Sequence, residues 1–216
     1  MRYLPLCFSL FLLGFSSPAK DSGDAHILTN PFARIPLEAD NDAEFKSLQT
    51  NQDGAAAGID CIRGKPDRWI DEGHPEVAKA AFHSLSATNS IEIVTLRTGD
   101  RIEILNYGCD SSSVGIRYLG GRDKASLKDL KHWFRIASNE LKTIHHLVNR
   151  QKGTPFDLAN DAKALETAKQ NLVLGKEINI EGDGNDFQQA RVSVLSVEKS
   201  PDKRSVVVIS LNRGPL

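Results

Sequence analysis

Residues Ser126 to Val148 read SLKDLKHWFRIASNELKTIHHLV. Leu127, Leu130, Phe134, Ala137, Leu141, Ile144 and Val148 recur there at alternating intervals of three and four. A helix turns once in about 3.6 residues, so this spacing draws one apolar stripe along a helix face. Ser126 and Asp129 make a capping pattern at the start, and Lys152-Gly153 suits the end. Thr154-Pro-Phe-Asp157 repeats the capping pattern with proline at the first helical position. Leu158, Ala162, Leu165, Ala168 and Leu172 then follow at helical spacing. Two amphipathic helices joined by a short connection predict an antiparallel helical hairpin.

On either side of this hairpin the period drops to two. Ile91 to Leu96 alternates, Thr98-Gly99-Asp100 turns the chain, Arg101 to Leu105 alternates back, and Val114 to Leu119 supplies a third strand. In this reading Ile91, Ile93, Ile102 and Ile104 face the core, while Glu92 and Glu103 face water. After the helices, Glu177–Ile180, Ala190–Val197 and Ser205–Leu211 read as strands. Glu181-Gly-Asp-Gly-Asn-Asp186 and Ser200-Pro-Asp-Lys203 supply the turns between them. Ahead of the first hairpin, His74-Pro75-Glu76 followed by Val77, Ala81, Phe82 and Leu85 predicts a short helix over 75–86. The order βββ-αα-βββ predicts an α+β domain: an antiparallel sheet of five to six strands with the helical hairpin on one face. That single globular domain spans residues 59–216. Residues 20–58 carry Pro31, Pro36, Glu38, Asp40, Asp42 and Glu44 with no sustained period, and read as a poorly ordered tail or linker.

The first nineteen residues have the three parts of a secretory signal peptide: Arg2, the apolar run Leu4–Phe15, and small residues at Ser17 and Ala19 ahead of Lys20-Asp21. The apolar run falls short of the roughly 20 residues a membrane span needs, and no later run comes closer. The expectation is a periplasmic or secreted chain with no integral membrane segment once residues 1–19 are removed. Cys7 leaves with the signal. Cys61 and Cys109 remain, and in an oxidising compartment such a pair predicts a disulfide. A reactive thiol would have to stay reduced beside a base.

Lys+Arg total 27 against 28 Asp+Glu, with 40% hydrophobic and 25% charged residues. That is ordinary globular composition and excludes a disordered, collagen-like or coiled-coil chain. The near-neutral balance lacks the broad basic field that phosphate backbones require, so no nucleic-acid partner is expected.

No linear motif assembles a catalytic set. Glu181, Asp183 and Asn185 fall at alternate positions like calcium ligands, but Asp186 stands where such a loop needs glycine and Val192 where it needs glutamate. His145 and His146 are adjacent, and lack the i, i+4 spacing of a zinc helix. His132 is expected outside, paired with Asp129. There is no Gly-x-Ser-x-Gly elbow, phosphate loop or dinucleotide fingerprint. Ser196-x-x-Lys199 and Ser200-x-x-Lys203 lack the companion motifs that would make a serine–lysine pair. No metal or cofactor is expected. The function expected is that of an exported, soluble, non-enzymatic binding protein of the cell envelope, engaging another protein as an inhibitor, immunity or assembly factor would. Tyr107, Arg117 and Tyr118, near the hairpins, are its candidate contact residues. The alternative is a cell-envelope hydrolase whose carboxylate or histidine site assembles only in the fold, with Asp100, Asp110 and Asp183 beside turns as candidate acids.

Overall fold

The computed structural model describes residues 30–33, 35–37, 66–107, 112–149, 156–168, 172–180 and 189–214. Among them run seven strands, β1 (Val77–Ser84), β2 (Ser90–Leu96), β3 (Arg101–Tyr107), β4 (Ser112–Gly120), β5 (Ile178–Ile180), β6 (Gln189–Lys199) and β7 (Ser205–Gly214). Two helices, α1 (Leu130–Leu147) and α2 (Leu158–Thr167), lie between β4 and β5 in the chain. The strands make one sheet in the order β1-β2-β3-β4-β7-β6-β5, and every neighbouring pair is antiparallel. The fold is α+β.

The sheet has seven strands where five to six are expected, and the extra one is a correction. Residues 75–86 do not form a helix. Val77–Ser84 pairs with β2, setting Ala81 opposite Ile93 and His83 opposite Ile91, with an irregularity between Val77 and Lys79. A run this short is compatible with either period, and the row of backbone groups along β2 decides for the strand. Both helices start on an aspartate. The Asp129 carboxylate accepts the His132 N–H at 3.1 Å, and the Asp157 carboxylate accepts the Asn160 N–H at 3.1 Å. Each satisfies one of the orphan donors of a first helical turn.

The helices cover the front face of the sheet. Trp133, Phe134, Ala137, Leu141 and Ile144 of α1, with Leu158 and Leu165 of α2, pack on Val94, Ile102, Ile104, Ile116, Val194, Val207 and Ile209. Arg213 of β7 ties α2 down: its Nη2 lies 2.5 Å from the Asp161 carboxylate, and its guanidinium 5.1 Å from the Phe156 ring centroid. The rear face is covered too. Phe32 and Ile35 pack there with Leu85, Ile91, Ile93, Leu105 and Val208.

Two-sided cover corrects the expected orientation of the first hairpin. Val94 stands opposite Ile102 and Ile93 opposite Glu103, and residues directly opposite share a face. Ile102 and Ile104 therefore point to the front, and Ile91 and Ile93 to the rear. Glu92 and Glu103 do not face water; both are buried, on opposite faces. The Glu92 carboxylate accepts the N–H groups of Trp69 at 2.8 Å and Ile70 at 3.2 Å, pinning residues 66–71 across the front of the sheet. Burial, opposed by those two bonds, pushes its carboxyl up to about 7.

Candidate functional site

Between β4 and α1 the chain leaves the sheet through Gly120-Gly121-Arg122-Asp123. At this corner lies a cleft of about 270 Å³, lined by Tyr118, Gly120, Gly121, Arg122, Asp123, Trp133, Ile136 and Ser205. Tyr118 projects to the front of β4, and its ring lies over Gly120. A Cβ on Gly120 would sit 2.5 Å from the ring Cε1 and the hydroxyl oxygen, so any side chain there displaces the tyrosine. The Tyr118 hydroxyl hydrogen-bonds the Glu140 carboxyl of α1 and also contacts Asp100 in the β2–β3 turn. Burial, then the charge of Asp100, pushes the Glu140 carboxyl up to about 8. Burial, then Glu140 and Asp100, likewise raises Tyr118 above its ordinary range.

The polar groups around the cleft are joined to one another. Lys199 stands opposite Ser205 at the end of the β6–β7 hairpin. Its Nζ donates to the Asp123 carbonyl at 2.6 Å and to Ser205 Oγ at 2.9 Å, and lies 4.9 Å from the Trp133 ring centroid. Asp123 Oδ1 accepts the Ala125 N–H at 2.7 Å, and Oδ2 lies 2.6 Å from His132 Nε2. The Ala125 N–H, and after it His132 and Lys199, hold the Asp123 carboxyl below its ordinary range. Arg135 Nη2 lies 3.2 Å from His132 Nδ1. A guanidinium only donates, so Nδ1 accepts and the ring proton sits on Nε2, where it is given to Asp123. His132 thus pairs through its ring with Asp123; Asp129, its expected partner, bonds its backbone N–H.

The three expected contact residues do not converge. Neighbours along a strand point to opposite faces, so Tyr118 enters the cleft and Arg117 goes to the rear. Arg117 is buried: Nε lies 2.5 Å from Glu103 Oε2, Nη1 donates to the Ile35 carbonyl at 2.9 Å, and Nη2 to the Pro36 carbonyl at 2.8 Å. Burial, opposed by Glu103, lowers its pKa. Tyr107, half-buried at the rear end of β3, bonds Ser210 of β7, and burial raises its pKa. Of the candidate acids, Asp100 joins Tyr118 and Glu140. Asp110 and Asp183 lie outside the described residues, as do Cys61, Cys109, residues 1–19 and the Glu181–Asp186 turn. Of the expected contact residues Tyr118 lines the cleft; Asp123, Trp133 and Lys199 are not expected at a site, and His132 is expected outside, paired with Asp129.

Among the described residues no group of three or more His, Cys, Asp or Glu side chains is placed to hold a metal ion, and no helix is long and apolar enough to cross a membrane. Comparisons with protein-family models, with curated proteins and with solved structures return no match for this chain.

Proposed function

We propose that this chain is an exported, soluble, non-enzymatic binding protein of the cell envelope, and that the Tyr118–Trp133 cleft holds another protein. Export is supported by the residue pattern of positions 1–19. Binding at the cleft is supported by one observation above all: its polar groups are committed to one another. Both nitrogens of His132, both oxygens of Asp123 and the ammonium of Lys199 already have partners. A side chain poised for proton transfer keeps a lone pair or a proton for the substrate. What the lining still offers is the apolar and aromatic wall of Tyr118, Trp133 and Ile136, with Arg122 exposed beside it. Aromatic residues and arginine are the usual anchors of protein contacts. Size points the same way: small-molecule sites run to about 300–1,000 Å³, and this cleft, at about 270 Å³, suits one or two side chains of a partner. An inhibitor, immunity or assembly factor would use such a contact.

One observation favours hydrolysis as a second reading. Asp123 and His132 stand 2.6 Å apart beside a serine, Ser205, in the cleft wall. Paired affinity captures from envelope extract decide between them. The unmodified chain should retain a partner that Ile136→Glu loses, and neither chain should turn over cell-wall substrate. Turnover that disappears in His132→Ala, with no partner retained by either chain, overturns the binding reading.

A further inference from the structure

The corner around the Tyr118–Trp133 cleft carries a charge that the chain as a whole does not. The net charge of the chain is −1, yet residues 121–135 and 199–204 hold eight lysines and arginines against three carboxylates. The two stretches are neighbours: the Ser205 N–H donates to the Gly121 carbonyl at 3.3 Å, and Lys199 Nζ to the Asp123 carbonyl at 2.6 Å. All three carboxylates are turned onto the chain itself. Asp123 pairs with the Ala125 N–H and His132, Asp129 caps α1 through the His132 N–H, and Asp202 accepts from Ser200 and Arg204. Arg122, Lys124, Lys128, Lys131 and Lys203 are exposed, and none of the five makes an ion pair among the described residues.

Two of these lysines stand where helix electrostatics disfavour them. A helix N-terminus carries partial positive charge and is stabilised by anions. Lys128 immediately precedes the Asp129 cap, Lys131 lies in the first turn of α1, and that turn holds no acid. The first turn of α2, by contrast, carries Asp161. Cations at this end of α1 work against the fold, and what they suit is an anion from outside the chain. The corner is apolar as well as basic. Leu127 is 43% exposed, in the turn whose Ser126 carbonyl accepts Trp133 Nε1 at 2.8 Å, so this turn abuts the cleft wall.

We propose that the partner held at the cleft is an acidic protein segment. One of its apolar side chains enters beside Tyr118 and Ile136, and carboxylates flanking it meet Arg122, Lys124, Lys128, Lys131 and Lys203. This rests on the binding reading of the cleft and adds the chemistry of what is bound. A nucleic-acid strand anchors by stacking bases on open ring faces, whereas the Trp133 ring is buried with Lys199 against it. A lipid surface needs a broad apolar face, and Leu127 is the one large apolar side chain exposed at this corner among the described residues. A basic rim around an apolar cleft steers an acidic partner in and fixes its register.

Fluorescence anisotropy of labelled synthetic peptides on the full chain tests this. The first peptide has a central phenylalanine between runs of glutamate, the second has serine at the centre, and the third has lysine runs around the phenylalanine. Only the first should bind, and its affinity should fall at least about tenfold between about 0.05 and 0.5 M sodium chloride as the charges are screened. Lys128→Glu/Lys131→Glu should weaken it at least about tenfold while the melting temperature holds or rises, because acids suit the helix N-terminus. Lys124→Gln/Lys203→Gln, off the helix, should weaken it too. Ile136→Gln, which removes apolar wall without altering charge, should lose it. Binding that is lost in Ile136→Gln but unchanged in both lysine variants overturns the acidic partner and leaves the cleft a binding site. Binding that survives Ile136→Gln moves the contact off the cleft and overturns both readings. The proposal also falls if the acidic peptide does not bind, if either control peptide binds equally, or if phosphatidylglycerol vesicles or oligothymidylate bind more tightly.

Discussion

Replacing Glu140 by glutamine should leave stability nearly unchanged at pH 5 and raise it at pH 8. The Glu140 carboxyl lies between α1 and the sheet on the Tyr118 hydroxyl, and burial, with Asp100 second, pushes it from an ordinary 4.5 to about 8. A carboxyl whose pKa is higher folded than unfolded favours the protonated fold. Its stabilising contribution is complete below the unfolded value and drains away as pH rises through the folded one. Each unit of separation is equivalent to about 1.4 kcal/mol. Between pH 5 and pH 8 the loss accumulates to about 3 kcal/mol, a large part of the roughly 5–15 kcal/mol that holds a typical domain together. Glutamine keeps the shape and an acceptor for Tyr118, and does not titrate. Glu92 and Asp161, pushed to about 7 and about 6 by burial, add their own descent with pH, but it is common to both proteins and cancels in the difference. Urea unfolding at the two pH values gives the comparison directly. A stability gap between Glu140→Gln and the unmodified chain that is equal at pH 5 and pH 8 would refute the reasoning.

Arg213→Met should cost about 3–5 kcal/mol at pH 8, because it strands the Asp161 carboxylate inside the fold; without the arginine that carboxyl protonates above the value of about 6 it has beside Arg213, so the loss should shrink as pH falls toward 6, which thermal melts at two pH values would reveal. Gly120→Ala should displace the Tyr118 ring and cost about 1–3 kcal/mol by overpacking, with a matching fall in partner retention by affinity capture. Thiol titration of the native protein should find neither Cys61 nor Cys109 free, and intact mass should begin the chain at Lys20; reduction of that bridge, which would close a loop of about 48 residues, should cost up to about 4 kcal/mol.

Why α1 is legible in its residues and β1 is not comes down to where the information lies. The stripe from Leu130 to Ile144 is a local property, and it holds whatever the helix packs against. Val77–Ser84 becomes a strand only because β2 offers it an edge. Alternation in β2 and β3 tells which residues share a face, but not whether that face is covered. Glu92 is buried by Trp69 and Ile70, while Glu103 lies on the rear face that Phe32 and Ile35 help to cover. The candidate site divides in the same way. Tyr118 beside a glycine pair is readable as a contact residue, whereas Asp123, His132 and Lys199 meet from a loop, a helix and a strand. Arg117 carries no mark separating a surface arginine from one that grips a remote segment.

β7 is the last in chain order of the seven strands among the described residues and yet sits inside the sheet, sewn between β4 and β6. Along its seam with β4, partners such as Gly120 and Ser205, or Ser112 and Arg213, are separated by the whole helical hairpin and two further strands. A chain emerging from its N-terminus can fold the β1–β4 meander early, but its middle stays unstitched until the final strand arrives. A chain broken off before Ser205 would carry two raw strand borders at once, on β4 and on β6, and would clump or be degraded. Placing the last strand in the middle makes unfinished copies conspicuous.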